Sequence, residues 1–70
     1  MLTDYLGHDL FVGDECVYLR RKKTEQHTYI TDLEKGVIVE ICEDFVVIQD
    51  PDGIRPDYTA DPKRVVRVIF

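Results

Sequence analysis

Short runs of β-prone residues, separated by turn signals, dominate the chain after residue 11. These six runs occupy residues 16–19, 28–31, 37–42, 45–49, 54–58 and 65–70. We expect five short strands to form within the six runs, because β-branched and aromatic residues bounded by turn residues favour strands over helices. The run that follows Gly36 is the strongest, whereas residues 32–35 are ambiguous from the sequence and compatible with a loop or bend.

Turn residues divide the second half of the chain. Glu43 and Asp44 fit a tight hairpin turn between two apolar runs. The sequence Asp-Pro-Asp-Gly at 50–53 predicts another turn, because proline presets φ and glycine accepts a positive φ. Pro56 cannot donate to a sheet ladder, so the run that contains it is expected at an edge or a bulge.

The two ends of the chain carry weaker signals. Thr3 can cap a single helical turn over residues 4–6, which Gly7 can end. Three leucines are expected to cover one end of the core: Leu2, Leu6 and Leu10. Residues 61–64 predict a capped turn before the last strand. Alternation in that strand, with Arg67 outside, then predicts three inward side chains: Val66, Val68 and Phe70.

Five short strands without a long helix predict an all-β fold, a small antiparallel barrel in one domain spanning residues 1–70. Closure is expected because a sheet of this size otherwise exposes unpaired strand edges. Several strands are apolar on both faces; Val17 and Leu19, for example, alternate with Cys16 and Tyr18. Either such strands bend and bury both faces at barrel corners, or one apolar face is exposed and binds a partner.

Composition narrows the class of protein. A chain of 70 residues with 44% hydrophobic residues suits one small soluble domain and leaves little room for a deep catalytic pocket. No apolar run is long enough to span a membrane, and no signal-peptide pattern begins the chain, so we expect the cytoplasm. Cys16 and Cys42 are expected to be reduced, apolar strand residues.

Charge is unevenly distributed along the chain. Nine lysines and arginines against fourteen aspartates and glutamates give a net charge of −5, which argues against a general nucleic-acid coat. Four consecutive basic residues nevertheless stand at 20–23, close to aromatic residues. Basic and aromatic side chains on one hairpin can contact phosphates and stack on bases, or they can simply solubilise the hairpin.

At Gly13-Asp14, at Lys35-Gly36 and at the apolar positions after each pair, the chain resembles KOW and SH3-like small barrels. Residues 61–68 are similar to the 3-10 turn and last strand of such barrels, and residues 5–14 are similar to the start of short bacteriophage proteins. The resemblance implies a five-stranded antiparallel SH3-like barrel with a short N-terminal turn or helix. It also implies a non-enzymatic interaction module that binds and modulates or inhibits a host protein in the bacterial cytoplasm.

Two sets of side chains are the candidate partner-binding residues. The first is the basic hairpin: Arg20, Arg21, Lys22, Lys23, His27 and Tyr29. The second is the acidic turns: Glu43, Asp44, Asp50 and Asp52. A host protein is the expected partner, and KOW-type nucleic-acid binding through the same basic hairpin is the alternative. The chain is expected to be a monomer or a weak homo-oligomer that associates through an apolar strand face.

No catalytic residue, metal site or cofactor is predicted. The chain has no serine, and its cysteines lie within predicted strands. Asp50 and Asp52 stand two residues apart but lack the closing glutamate of a calcium loop. His8 and His27 do not combine with the cysteines at zinc-ligand spacing.

Overall fold

The computed structural model describes residues 2–68, which form an all-β structure of five antiparallel strands in one sheet. Its elements are β1 (Glu15–Lys23), β2 (Tyr29–Ile41), β3 (Val46–Gln49), β4 (Tyr58–Ala60), a 3-10 turn (Pro62–Arg64) and β5 (Val65–Arg67). The strand order is β4-β3-β2-β1-β5. The all-β prediction, the five antiparallel strands and the 3-10 turn before the last strand are confirmed. Within residues 2–68 no ladder joins β4 to β5, so the sheet is open and the closed barrel is not confirmed.

The second strand is longer than the sequence predicts. Residues 32–35 continue β2 and pair with β1, in a register that places Leu33 opposite Leu19 and Lys35 opposite Val17. The segment that is ambiguous in the sequence is therefore a strand, because cross-strand pairing compensates for the weak β propensity of its polar residues. Gly36 accordingly lies inside the strand rather than at its start.

The first half of β2 pairs with β1 and the second half pairs with β3, and the two ladders meet at Val37. A register shift between Ile38 and Glu40 marks a bulge, which bends the strand and increases its twist. This change of partner brings the backbone at Gly36 very close to the side chain of Ile48 on β3.

The core lies on the inner face of the sheet, and its largest member is Tyr18. The fully or nearly buried apolar residues are Leu10, Cys16, Tyr18, Ile38, Val46, Ile48, Ala60 and Val65. The rings of Tyr18 and Tyr58 lie 5.4 Å apart, so β4 also packs on this centre. Burial raises the pKa of the Cys16 thiol to about 11, and nearby Asp14 adds to the effect, so this cysteine is a small apolar core residue as predicted.

The turns of the second half are confirmed. The N–H of Cys42 donates to the carbonyl of Phe45 (2.9 Å) and closes the β2–β3 hairpin. The N–H of Gly53 donates to the carbonyl of Asp50 (2.9 Å), and Gly53 has φ +68°. The predicted strand over residues 54–58 is wrong in its bounds, because β4 spans Tyr58–Ala60 and shares only Tyr58 with it. β4 is an edge strand, and Pro56 lies outside it because proline offers no N–H to a ladder.

The ends of the chain correct three expectations. Asp4, not Thr3, caps the N-terminal turn, since its carboxylate accepts the N–H groups of Leu6 (2.9 Å) and His8 (2.8 Å). Leu6 is 60% exposed and does not cover the core, whereas Leu10 is buried and Leu2 packs beside it.

The inward face of the last strand is also inverted relative to the prediction. Register places Val65 opposite Tyr18 in the core, while Val66 lies opposite Val17 on the outer face. Arg67 consequently shares the face of Cys16, and its side chain reaches Asp14 (3.2 Å) at the end of the sheet. The predicted inward Phe70 lies outside the described residues. No helix within residues 2–68 is long and apolar enough to cross a membrane.

Gly36→Ala should destabilise the protein by about 1–3 kcal/mol, the usual cost of overpacking a filled core. An added Cβ would overlap Cγ2 of Ile48 and stand 3.1 Å from Cε1 of Tyr18, so the core must shift. Urea unfolding measures the loss. In an Ile48→Ala background the same glycine change should cost less, because the clashing methyl is gone; an equal cost in both backgrounds would contradict this explanation.

Candidate functional site

Strand alternation divides the basic quartet between the two faces of the sheet. Arg20 and Lys22 share the inner face with Tyr18, whereas Arg21 and Lys23 share the outer face with Leu19. The basic hairpin is thus not one continuous patch. Its inner half (Arg20 and Lys22) and its outer half (Arg21 and Lys23) have different surroundings.

The inner half of the hairpin is engaged within the molecule. The guanidinium of Arg20 donates to Oη of Tyr18 (3.1 Å) and lies over the ring of Tyr58, 4.9 Å from its centroid. Lys22 forms ion pairs with Glu34 and with Asp32, the latter at 3.4 Å. These contacts fix the base of the hairpin against β2 and β4.

Glu34 connects Lys22 to a second pair of charges. Its carboxylate lies 3.2 Å from Nη1 of Arg55, whose Nε lies 3.3 Å from Oδ2 of Asp50. The hydrogen bond from Lys22, followed by that from Arg55, lowers the pKa of Glu34 to about 2. The chain of charges joins β1, β2 and the turn after β3.

Asp50, a predicted partner-binding residue, is an internal turn residue. It is only 7% exposed, and its carboxylate accepts the N–H groups of Asp52 (3.4 Å) and Arg55 (3.3 Å). Burial would raise the pKa of Asp50, but the hydrogen bonds from Arg55 and Asp52 outweigh it and the pKa is lowered. The charge of Asp50 is therefore already compensated by hydrogen bonds and an ion pair within the chain.

The other predicted acidic residues are exposed but lie apart. Glu43 and Asp44 form the turn before β3, and Asp52 lies in the turn after it, so the two turns stand at opposite ends of that strand. Glu43 and Asp44 border a shallow cavity of about 260 Å³ that also contacts Asp61 and Lys63. The acidic turns do not form one binding face.

The outer half of the hairpin combines charge with an aromatic ring. The guanidinium of Arg21 stacks over Tyr29, 4.1 Å from the ring centroid, and Lys23 pairs with Tyr29 across the hairpin. His27 lies in the exposed tip turn, with a positive φ of 62°. The structure therefore brings together Arg21, Lys23 and Tyr29 of the predicted set.

An apolar groove of about 280 Å³ continues this outer face. It is lined by Tyr5, Val17, Leu19, Leu33 and Val66, with Lys63 and Arg64 at its border. Tyr5 is 71% exposed and Leu33 is 69% exposed, so this apolar surface is open to solvent. We call the groove, the adjoining Arg21, Lys23 and Tyr29, and Lys35 opposite Val17, the outer patch.

Sequence reasoning found the outer patch only in part. The exposed apolar face of Val17 and Leu19 is one of the two alternatives that the sequence leaves open. Leu33 is not among the predicted residues, because its segment is ambiguous in the sequence. The apolar residue at the centre of a polar stretch was the available signal, since it pairs with Leu19 once β2 is continuous.

The carboxylate of Asp4 fixes one wall of the groove. Its Oδ2 accepts the N–H of Arg67 (2.8 Å) and contacts the ring of His8 (3.3 Å). The adjacent N–H of Tyr5 donates to the carbonyl of Val65 (2.9 Å). Burial would raise the pKa of Asp4, but hydrogen bonds from Arg67, His8 and Leu6 outweigh it, and the pKa is lowered.

Fold and site together define a small all-β protein with one solvent-exposed apolar and basic face. Residues 2–68 match the family model described as a domain of unknown function, DUF7205, and the chain belongs to that family. No curated protein and no solved structure matches the chain. Within the described residues, no three histidine, cysteine, aspartate or glutamate side chains cluster as metal ligands.

Asp4→Asn should destabilise the protein by about 1–3 kcal/mol near neutral pH, because several hydrogen bonds to a buried charge are weakened. The pKa of Asp4 is lower in the folded state, so its contribution is present above its unfolded pKa, about 3.9, and is lost as pH falls below it. Thermal unfolding across this range should show wild type and variant converging in acid. Asp57→Asn, at an exposed position, is the control; a constant difference at all pH values would contradict the assignment.

Glu34→Gln should lower stability above about pH 4.5, because the ionised carboxylate holds Lys22 and Arg55. The folded pKa of about 2 lies below the ordinary value of 4.5, so this contribution is lost as pH falls between the two. Urea unfolding at both ends of that range measures it. Glu43→Gln removes an exposed turn carboxylate and should have little effect; equal losses in the two variants would count against the network.

Proposed function

We propose that this protein is a non-enzymatic interaction module that binds a protein partner through the outer patch. The observation that carries the proposal is the open groove formed by Tyr5, Leu19 and Leu33 with cations beside it. Exposed, contiguous apolar side chains on a small protein are typical of interaction sites, because their burial against a partner removes apolar surface from water.

Aromatic and basic residues suit the rim of such a surface. Arg21 stacked on Tyr29 offers a rigid contact with a planar donor group, and Lys63 and Arg64 stand beside the apolar groove. Tyrosine and arginine are enriched in protein interfaces because they combine apolar area with hydrogen bonding. Apolar burial would supply affinity, and the cations would select the partner.

The proposal includes an SH3-like small barrel of the KOW-like type as the scaffold. Pairing of β1 with both β2 and β5, and a 3-10 turn that directly connects β4 to β5, support it. Buried residues from all five strands share one core, which also supports curvature of the sheet around that core. The resemblance to short bacteriophage proteins makes a bacterial host protein, modulated or inhibited in the cytoplasm, the proposed target.

Nucleic-acid binding is the second candidate, and one observation favours it. Tyr29, Arg21 and Lys23 together form an aromatic and basic end of the outer face, where a base can stack and phosphates can pair with cations. The same residues belong to the outer patch. The two candidate functions therefore use the same surface and differ in the chemistry of the bound partner.

Capture from bacterial lysate by the immobilised protein tests the proposed function. Leu33→Asp places a charge in the groove at a position that is 69% exposed, so the substitution removes little buried apolar surface. Ile54→Asp is the matched control, at an 83% exposed position in a loop that does not contribute to the groove. We expect a set of proteins held equally by wild type and control but reduced at least about tenfold by Leu33→Asp, as for a central interface residue.

Equal capture by all three proteins would overturn the proposed function. Loss of capture after nuclease treatment would instead favour the nucleic-acid candidate. Light scattering over a concentration series would show self-association, and association abolished by Leu33→Asp would assign the outer patch to a second copy of the chain. Circular dichroism of each variant establishes that the fold is retained.

A further inference from the structure

We infer that the outer patch takes a short acidic segment of its protein partner, anchored by apolar side chains in the groove at Leu19 and Leu33. The inference rests on the proposed function and adds to it the chemical class of the segment that binds the outer patch. Two properties of the outer face support it: the separation of paired from unpaired cations, and the division of the apolar floor into two connected grooves.

The cations that form ion pairs are not those that line the 280 Å³ groove. Within residues 2–68, lysine and arginine ion pairs involve Lys22, Arg55 and Arg67, each with carboxylates of the same chain. The five cations of the outer patch form no ion pair among these residues: Arg21, Lys23, Lys35, Lys63 and Arg64. Five of the nine cations of this chain, whose net charge is −5, thus lie on one face without a carboxylate partner among residues 2–68.

Acidic side chains lie at the borders of this face. Among residues 2–68, no carboxylate lines the 280 Å³ groove. Lys63 lines both this groove and the cavity at Glu43 and Asp44. Leu33 and Lys35 also line a cavity to which Glu34, Asp50 and Asp52 contribute. A positive surface bordered by negative turns attracts an acidic segment and orients it, because like charges beside the patch repel a misplaced one. The charge pattern thus selects both the sign and the position of the occupant.

The apolar floor suits side chains rather than one large ligand. A second groove, of about 410 Å³, adjoins the first and shares Val17 with it. Val37, Pro51 and Val68 supply its apolar lining, and its charged lining residues are Lys35 and Glu15. Each volume lies near or below the lower end of ordinary ligand pockets, roughly 300–1,000 Å³. Two shallow sites joined at Val17 can accept successive apolar side chains of an extended segment.

The same features disfavour the other occupants. A second copy related by two-fold symmetry would bring this cationic face against itself. Nucleic-acid bases in the groove would lose hydrogen bonds against Val17, Leu19 and Val66, since their side chains offer no donors or acceptors. An acidic segment with apolar anchors can pair its carboxylates with the cations and bury its apolar side chains in the grooves.

Fluorescence anisotropy with defined peptides tests the inference. The probe is a labelled peptide of about twelve residues, long enough at about 3.3 Å per residue to cross the sheet, in which Leu and Phe alternate with Glu and Asp. One comparison peptide replaces the acids with Lys, and another keeps the acids but replaces the apolar residues with Gly and Ser. A labelled oligothymidylate of similar length is the nucleic-acid probe.

We expect the acidic, apolar peptide to bind at least about tenfold more tightly than either comparison peptide, with affinity that falls as salt rises. Leu33→Asp should weaken binding about tenfold, as should the double change Lys63→Glu with Arg64→Glu. Ile54→Asp is the control for the first variant. The charge-preserving exchange Lys63→Arg with Arg64→Lys is the control for the second.

Tighter binding of oligothymidylate, sensitive to the same variants, would overturn the inference in favour of nucleic acid. Equal binding of acidic and lysine peptides would overturn the role of charge. If no peptide binds while lysate capture still depends on Leu33, the acidic-segment inference fails and the proposed function stands. If capture is also independent of Leu33, both fail.

Discussion

The side-chain carboxylate of Asp4 connects the two ends of the described structure, and the outer patch depends on that connection. It accepts N–H groups from its own turn and from Arg67, 63 residues along the chain. Tyr5, held to Val65, consequently stands beside β5 and forms one side of the apolar groove. Because this carboxylate is almost fully buried, its hydrogen bonds must all be made for the charge to be tolerated.

Lysine and arginine residues have two different roles in this structure. Lys22 and Arg55 stabilise the sheet and the 50–53 turn through Glu34, whereas Arg21 and Lys23 project from the other face without ion pairs among the described residues. Alternation along one strand produces this division. A net negative chain can therefore present a positive surface, because its carboxylates are concentrated in turns and in the inner charge network.

Local chemistry explains what could be predicted. Apolar runs gave most of the strands, and the 50–53 sequence gave its turn, since proline and glycine restrict the backbone independently of tertiary context. The errors concern residues whose position depends on a distant partner. Leu33 belongs to a strand because Leu19 stands opposite it, and Val66 faces outward because Val65 pairs with Tyr18. No local sequence pattern specifies the register of β1 with β2 and β5.

The candidate surface likewise combines features that the sequence determines with features that only the tertiary structure determines. Sequence by itself determined the all-β class, the turn positions, the basic and aromatic content of the hairpin, and the alternation that divides its four cations. Tertiary structure decided which cations are paired, that Asp50 is buried, and that Tyr5, Leu33 and Val66 meet in one groove. The physical reason is that propensity and alternation act between neighbours in the chain, whereas ion pairs, burial and grooves depend on strand register between segments far apart in sequence.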